Sequence, residues 1–220
     1  RSGPFTVAEQ GAGEGYLALD ILDALAVEAP ECYGQTSYRL VEVSPDHRRR
    51  QAERLARHGE HVSWCRLEEL AGMQGCLLSN ELLDAFPVRM VERQADGWCE
   101  VVVGACDGEF VEATHAEPPD ELDAYFRWLE VEPLVGNRYE VRTAAREWME
   151  QVSQLLARGF VLTIDYGYLA AELYAPWRRS GTLMCYHRHQ ANEEPLRRIG
   201  RQDLTTHVDF TALQRVGAEG

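Results

Sequence analysis

The sequence predicts an α/β fold, a parallel sheet with helices on both faces, and three observations predict it. An extended apolar run over residues 5–8 ends in the acidic Glu9, Gly11-Ala12-Gly13-Glu14-Gly15 follows, and a helical pattern then runs over residues 16–27. The alternation then continues, with strand patterns at 38–43, 62–65 and 75–79 and a helical pattern at 46–58. That order is expected of a sheet covered by its own crossover helices. Further on, Phe160-Val161-Leu162-Thr163-Ile164-Asp165 reads as a fully buried strand ending in an acid.

The first strand–loop–helix unit carries the most chemistry. Three glycines, Gly11, Gly13 and Gly15, let the backbone come close to a ligand that side chains would block. Dinucleotide folds prefer G-x-G-x-x-G/A. Here the last position is Tyr16, the third glycine comes one residue early, and Glu14 sits where it would repel a pyrophosphate. S-adenosylmethionine carries no phosphate, and its methionine end offers an ammonium that Glu9, at the end of the first strand, suits. A glycine-rich turn without a ligand is the alternative reading.

The second strand ends at Glu42, where nucleotide-type sheets place a carboxylate that accepts from both ribose hydroxyls; a surface glutamate at a strand end is the plain alternative. Ser44 reads as N-cap and Pro45 as the first residue of the following helix. Within it, Arg48-Arg49-Arg50 reads as a solvated face. After the third strand, Leu67 and Glu68 would flank an adenine. Glu9, the glycine loop and Glu42 together point to an adenosine-containing cofactor.

Composition narrows the partners. The 220 residues are 45% hydrophobic, enough for one domain over 1–220 with a sizeable core. Net charge is −14, and all 22 basic residues are arginines. Such a surface argues against nucleic acid or an anionic membrane as main partner, but not against a basic protein. No run reaches the about 18 apolar residues of a membrane span. Arg1-Ser2-Gly3-Pro4 is not a signal peptide, and the opening directly on a strand suggests residues upstream. Six cysteines form no C-x-x-C. Cys65, Cys76, Cys99, Cys106 and Cys185 fall in apolar runs and read as small buried hydrophobes in a reducing compartment.

After Pro87 the pattern changes, and residues 88–140 read as an insertion. Runs at 88–93 and 98–104 alternate around Gln94-Ala95-Asp96-Gly97, a hairpin signal, and 110–113 adds a third strand. Pro118-Pro119 breaks the chain, helices follow at 120–130 and 143–158, and Gly159 ends the second. The tail, 181–220, mixes strand-like and loop-like pieces.

Ser79-Asn80-Glu81-Leu82-Leu83-Asp84-Ala85-Phe86-Pro87-Val88 is a distinctive string. With the glycine loop, Val41-Glu42-Val43-Ser44, Ile164-Asp165-Tyr166-Gly167, Gly181-Thr182-Leu183 and Asp203-Leu204-Thr205-Thr206-His207-Val208-Asp209-Phe210, it resembles the MidA family of S-adenosylmethionine-dependent methyltransferases. The resemblance implies a class I methyltransferase fold, a Rossmann-like sheet with the β-hairpin/helical insertion added. Family members extend beyond both ends of this stretch, so the terminal strands of the usual seven-stranded sheet are expected to be missing. It implies S-adenosylmethionine as cofactor and protein-arginine N-methylation, symmetric dimethylation in the mitochondrial complex I assembly member. The expected partner is a protein with an accessible arginine, possible in a respiratory-complex subunit, with a homodimer as assembly. The expected compartment is the bacterial cytoplasm, with the mitochondrial matrix as alternative.

A guanidinium is always protonated and must approach a positive sulfonium, so nearby carboxylates are needed to hold it and offset the repulsion. Glu81 and Asp84, i and i+3 on a helical turn past the fourth strand, are expected to share a face and do this; an acid-rich helix N-terminus is the alternative. Asn80 offers an amide to the cofactor or substrate, or an N-cap. Asp165 adds a third carboxylate, and Tyr166 walls the pocket. His207 and Asp209 are expected to order a loop over the substrate, with Asp203 helping, and His207 is counted with the catalytic groups. His187-x-His189 and His207-x-Asp209 have strand spacing compatible with metal ligands, but methyl transfer needs none and no metal is expected. A small-molecule methyltransferase and a non-catalytic assembly factor that keeps the cofactor fold remain alternatives, and an NAD-dependent oxidoreductase is disfavoured by Glu14 and Tyr16.

Overall fold

A computed structural model describes residues 5–115 and 121–219. The N-terminal Arg1-Ser2-Gly3-Pro4, the Pro118-Pro119 break, the predicted helix start at Asp120, and Gly220 lie outside the described residues. In chain order the elements are β1 (Phe5–Gln10), α1 (Tyr16–Glu28), α2 (Pro30–Tyr33), β2 (Thr36–Val41), α3 (Pro45–Arg54), β3 (Val62–Cys65), β4 (Met73–Asn80), β5 (Arg89–Gln94), β6 (Gly97–Cys106) and β7 (Glu109–His115). They continue with α4 (Leu122–Trp128), β8 (Arg138–Val141), α5 (Thr143–Leu155), β9 (Leu156–Ile164), β10 (Gly167–Tyr168), α6 (Ala170–Leu173), β11 (Met184–His187), β12 (Gln190–Asn192), β13 (Asp203–Thr205), β14 (Val208–Asp209) and α7 (Phe210–Glu219). Short 3-10 turns lie at Ala56–His58 and Leu67–Leu70.

The chain divides into two compact units, the first holding residues 5–82 and 150–165, the second 83–149 and 166–219. The sequence reading set only 88–140 apart from one domain. The second unit gathers the tail as well: Ala170 and Leu173 of α6 and Ala212 of α7 share one buried cluster with Val91 of β5, Phe126 of α4 and Tyr139 of β8.

The first unit is the expected α/β layer. Its five strands run parallel in the order β3-β2-β1-β4-β9. The order reverses between β1 and β4, and ligands of open α/β sheets bind outside the carboxyl ends of the strands at such a switch point. Val7, Ala18, Leu22, Tyr38, Leu40 and Leu55 form a buried cluster between sheet and helices.

Two strand-end expectations are corrected here. β9 is not a fully buried strand: among the described residues it pairs with β4 alone, and Phe160, Leu162 and Ile164 are 74%, 49% and 49% exposed. The helix read to residue 158 stops at Leu155, and Gly159 lies inside β9 rather than at a helix end. A Cβ on Gly159 would stand 1.8 Å from the Gly75 carbonyl oxygen, so close strand approach, not a helix terminus, requires this glycine.

The second unit contains an antiparallel sheet β7-β6-β5-β8, a three-stranded sheet β12-β11-β13 and the parallel pair β10-β14. The hairpin at Gln94–Gly97 forms as expected, with Gln94 paired to Gly97. Beyond it, Asp107-Gly108 turns β6 into β7 with φ of 50° and 82°, the two positive values of a type I′ turn. Phe126 of α4 stacks on Trp98 at 5.0 Å and meets Tyr139 and Tyr174 edge-on at 5.2 and 5.5 Å. Each such pair contributes about 0.5–1.5 kcal/mol beyond area burial.

All six cysteines are free; Cys65, Cys99 and Cys185 are buried, but Cys106, expected inside, is exposed near the β6–β7 turn. Among the described residues no helix is long and apolar enough to cross a membrane.

Candidate functional site

β1 delivers Glu9 to the switch point, 2% exposed, with the Tyr38 hydroxyl donating to its Oε2 at 2.6 Å. Burial raises the Glu9 pKa, and the Tyr38 hydrogen bond opposes that rise. The loop then leaves β1 through Gly11, Gly13 and Gly15, at φ of 74°, 51° and 80°. All three sit in the left-handed region, which explains three glycines in five residues. The Gly11 N–H donates to the Val41 carbonyl at 3.2 Å, tying the loop to the end of β2. α1 starts with Gly15 as N-cap and no side-chain cap, leaving its first N–H groups and the positive end of its dipole for a ligand carboxylate.

Glu42 lies one residue past β2. Its side chain is only 6% exposed; Oε1 accepts from the Ser44 N–H at 2.8 Å, and His47 Nδ1 stands 3.6 Å from Oε2. Each carboxylate oxygen accepts more than one bond, so capacity for two hydroxyls remains. Ser44 is the N-cap of α3, its Oγ accepting from the His47 N–H at 3.3 Å. Leu67 and Glu68 follow β3 on a 3-10 turn, and Glu68 is exposed with Arg66 at 3.4 Å.

Two loop expectations change. Glu14 does not face a ligand as a free charge: Arg50 Nη1 donates to it at 2.5 Å and Arg54 Nη1 stands 3.2 Å away. Hydrogen bonds from Arg50 and then Arg54 hold its carboxyl below the usual range. Arg50, expected on a purely solvated face, therefore reaches back to the loop as well as pairing with Asp46 at 2.5 Å.

Asn80 ends β4 exposed to solvent, and Glu81 follows with φ 47°, also exposed. The segment after it is bend and turn, not the helical turn expected to put Glu81 and Asp84 on one face. The left-handed Glu81 backbone and Pro87 are both incompatible with a helix start that continues. What the structure brings beside Glu81 is Asp165. The Glu81 N–H donates to the Ile164 carbonyl at 2.8 Å, so the two carboxylates leave neighbouring strands at the same sheet edge. Leu82 lies against the glycine loop, its Cδ1 2.9 Å from where a Gly11 Cβ would be.

In the second unit, Asp84 is 5% exposed and its carbonyl accepts from the Thr206 N–H at 2.9 Å. Tyr166 is 49% exposed, and its carbonyl accepts from the Val208 N–H at 2.8 Å. His207 packs edge-on against Tyr168 at 5.2 Å, and its buried Nδ1 has no partner. Burial, then the Arg178 and Arg142 charges, lower its pKa, which keeps the ring neutral at pH 7. Asp209 is 2% exposed; Oδ1 accepts from the Ala212 N–H at 3.1 Å as the cap of α7, and Oδ2 has no partner. Burial raises its pKa against the Ala212 and Arg142 contributions. Asp203 is exposed on β13, paired in register with Tyr186.

The imagined His187-x-His189 pair fails on geometry. Arg188 and His189 form the turn between β11 and β12 with φ of 49° and 64°, so the histidines do not share a strand face. Among the described residues no three His, Cys, Asp or Glu side chains converge as a metal would need.

Sequence reasoning missed Tyr38, Gln51, Glu140 and Arg142. The last two form a buried ion pair, Arg142 Nη2 to Glu140 Oε2 at 3.3 Å. Arg138-Tyr139-Glu140-Val141-Arg142 carried a usable signal, since opposite charges at i and i+2 of a strand share a face.

A buried carboxylate beneath a glycine loop, with a second carboxylate at the end of β2, suits a ligand that brings an ammonium and two hydroxyls. That places the chain among the class I S-adenosylmethionine-binding proteins. Residues 1–220 match the family model of S-adenosyl-L-methionine-dependent methyltransferases, and the chain belongs to this family, the MidA group. It is similar to the protein arginine methyltransferase NDUFAF7 homolog, mitochondrial, of Drosophila melanogaster, 26% identical over 97% of this chain and 52% of that protein. A structure from Burkholderia thailandensis bound to S-adenosyl-homocysteine is 36% identical with a TM-score of 0.87, covering 98% of this chain and 55% of that one. A native structure from the same organism is 36% identical with a TM-score of 0.84, covering 98% and 57%. The chain thus spans about half the length of the relatives it matches.

Glu9 makes a first prediction. With its pKa raised, the folded state keeps a proton that the unfolded state releases as pH rises from about 4.3, so stability falls through that window and is lower at neutral pH. Glu9→Gln should therefore gain stability over the native chain at pH 7 but not at pH 4, by urea unfolding without ligand. An equal difference at both pH values would refute the burial account.

Proposed function

We propose that the protein to which this chain belongs transfers a methyl group from S-adenosylmethionine to an arginine side chain of a protein. The observation that carries this reading is Glu81, an exposed carboxylate in a left-handed backbone conformation directly beyond β4, the strand beside the switch point. A non-glycine residue held there costs about 1–3 kcal/mol, and such residues cluster at active sites. The name of the Drosophila relative supports the acceptor class.

In this reading Glu9 takes the ammonium of the cofactor, the uncapped start of α1 its carboxylate, and Glu42 the ribose hydroxyls. Ser44 orients Glu42, Leu67 and Glu68 flank the adenine, and Asn80 offers its amide. When bound, S-adenosylmethionine supplies a methyl group on a sulfonium. Glu81 and Asp165 would hold the guanidinium and draw its charge toward the nitrogens they contact, leaving the third nitrogen free to take the methyl as the sulfur–carbon bond breaks, with S-adenosyl-homocysteine leaving and the surplus nitrogen proton passing to a carboxylate and then to water. Acceptor contacts by Asp84, Tyr166, Asp203, His207 and Asp209, symmetric dimethylation and a respiratory-complex subunit as acceptor rest on the family resemblance alone.

The test uses full-length protein with labelled S-adenosylmethionine and candidate proteins, reading methylarginine by mass spectrometry. Glu81→Gln is expected to lower transfer on the order of 100-fold while S-adenosyl-homocysteine binding stays within about twofold. Label on small molecules but on no protein would overturn the arginine reading in favour of a small-molecule acceptor.

A further inference from the structure

Gln51 is the one fully enclosed side chain of an otherwise charged helix. It sits in Arg48-Arg49-Arg50-Gln51-Ala52-Glu53-Arg54 and is 0% exposed. Its Nε2 donates to the Gly13 carbonyl at 2.8 Å and to Glu42 Oε2 at 3.2 Å, while its Oε1 accepts from Trp64 Nε1 at 2.8 Å. Its Cγ lies 3.2 Å from where a Gly15 Cβ would be.

The partners leave no freedom. A carbonyl and a carboxylate only accept and an indole N–H only donates, so the amide has a single workable orientation, with both its N–H groups used. A glutamate would lose both donors and set a second carboxylate beside Glu42. A lysine would lose the acceptor that Trp64 requires. The glycine loop, the carboxylate past β2 and the aromatic residue on β3 come from three separate stretches of chain, and one amide spans all three. Holding the Gly13 carbonyl toward α3 also turns the Glu14 N–H of the same trans peptide away from α3.

We propose that Gln51 is the positioning residue of the cofactor site, keeping the glycine loop and Glu42 in one fixed arrangement before ligand arrives. This rests on the reading of that edge as the S-adenosylmethionine site. Gln51 acts through the loop and Glu42 rather than by touching the cofactor, so it should govern affinity by sparing the cost of ordering them.

The experiment measures the dissociation constant of S-adenosyl-homocysteine by calorimetry on the full-length protein, from pH 5.5 to 8, for native, Gln51→Leu and Gln51→Glu. Titratable and charged groups around the amide are Glu42 with His47 beside it, and Glu14 with Arg50 and Arg54. These are common to all three proteins, so each variant is read as its ratio to native at the same pH. Gln51→Leu is expected to weaken binding about 10- to 100-fold with no pH trend in the ratio. Gln51→Glu should be at least as weak at pH 8 and recover at pH 5.5, because a protonated carboxyl regains one donor. Circular dichroism without ligand checks that each variant is folded; if Gln51→Leu is not, the pH trend of Gln51→Glu alone decides. Native-like binding by a folded Gln51→Leu, or no recovery of Gln51→Glu at low pH, would overturn the proposal. If the native protein itself does not bind S-adenosyl-homocysteine, the cofactor reading fails and the role of Gln51 falls with it, a result distinct from the other two.

Discussion

Gly13→Val is expected to abolish cofactor binding while the protein stays folded. A Cβ at Gly13 meets no protein atom within 4 Å, so the side chain enters open space above the loop rather than the core. That space is where a three-glycine loop lets a ligand approach the backbone. The cost to the fold is the left-handed backbone, φ 51°, about 1–2 kcal/mol for a side chain with a Cβ. The neighbouring glycines differ. A Cβ at Gly11 would press on Leu82 at 2.9 Å and one at Gly15 on Gln51 at 3.2 Å, so substitutions there disturb the protein as well as the ligand. Thermal melts with and without S-adenosyl-homocysteine separate the effects. The Gly13→Val melt should fall by a few degrees and no longer respond to ligand. A variant that still gains stability from the ligand as the native protein does would refute the placement of the ligand over this loop.

Glu140→Ala is expected to be the most destabilising single change in the second unit, by about 3–5 kcal/mol. Glu140 is 1% exposed, and its Oε1 accepts from the Thr182 and Leu183 N–H groups at 2.5 and 2.9 Å. Removing it strands both donors and leaves the Arg142 guanidinium, 4% exposed, without its carboxylate. The damage spreads along a chain of hydrogen bonds. Arg142 Nη2 and the His207 N–H both donate to Thr182 Oγ1, at 3.0 and 3.1 Å. The Thr206 N–H in turn holds the Asp84 carbonyl. Gly181 belongs to the same device, since a Cβ there would fall 2.2 Å from Glu140 Oε1. Urea unfolding measures the loss. Glu140→Gln, which keeps an acceptor but not the charge, should lose less, and high salt should not reproduce either effect because the pair is buried. A Glu140→Ala loss below about 1 kcal/mol would show that the network is not the framework of this segment.

The family strings Gly181-Thr182-Leu183 and Asp203 to Phe210 thus acquire a structural meaning that the sequence did not offer. From the sequence, His207 and Asp209, with Asp203, are expected to order a loop over the substrate, and Gly181-Thr182-Leu183 carries no role of its own. In the folded protein the Thr182 and Leu183 N–H groups are held by Glu140 of β8, more than 40 residues earlier, and the second string is held in turn by Thr182 Oγ1 and by the Asp84 and Tyr166 carbonyls. The alternating charges of Arg138, Glu140 and Arg142 carry one face of a strand but not which distant loop that face meets.

Local features were legible because local chemistry settles them. The order of strand and helix over the first 80 residues, the Ser44 cap, the left-handed glycines and the approximate ends of β1 and β4 all follow from neighbours a few residues apart. The places of Glu9 and Glu42 at strand ends were legible for the same reason, since a parallel sheet brings the carboxyl ends of its strands to one edge. Tertiary structure alone decided the rest. It paired β9 with β4 alone among the described residues, because an apolar run does not tell how many strands flank it. It turned Glu14 from a repelling charge into the partner of Arg50 and Arg54, and it buried Gln51 under the loop. It also left Glu81 in a left-handed bend beside Asp165 instead of on a helix with Asp84. Each of these depends on which distant segment supplies the partner charge, donor or surface, and that choice is made only when the chain packs.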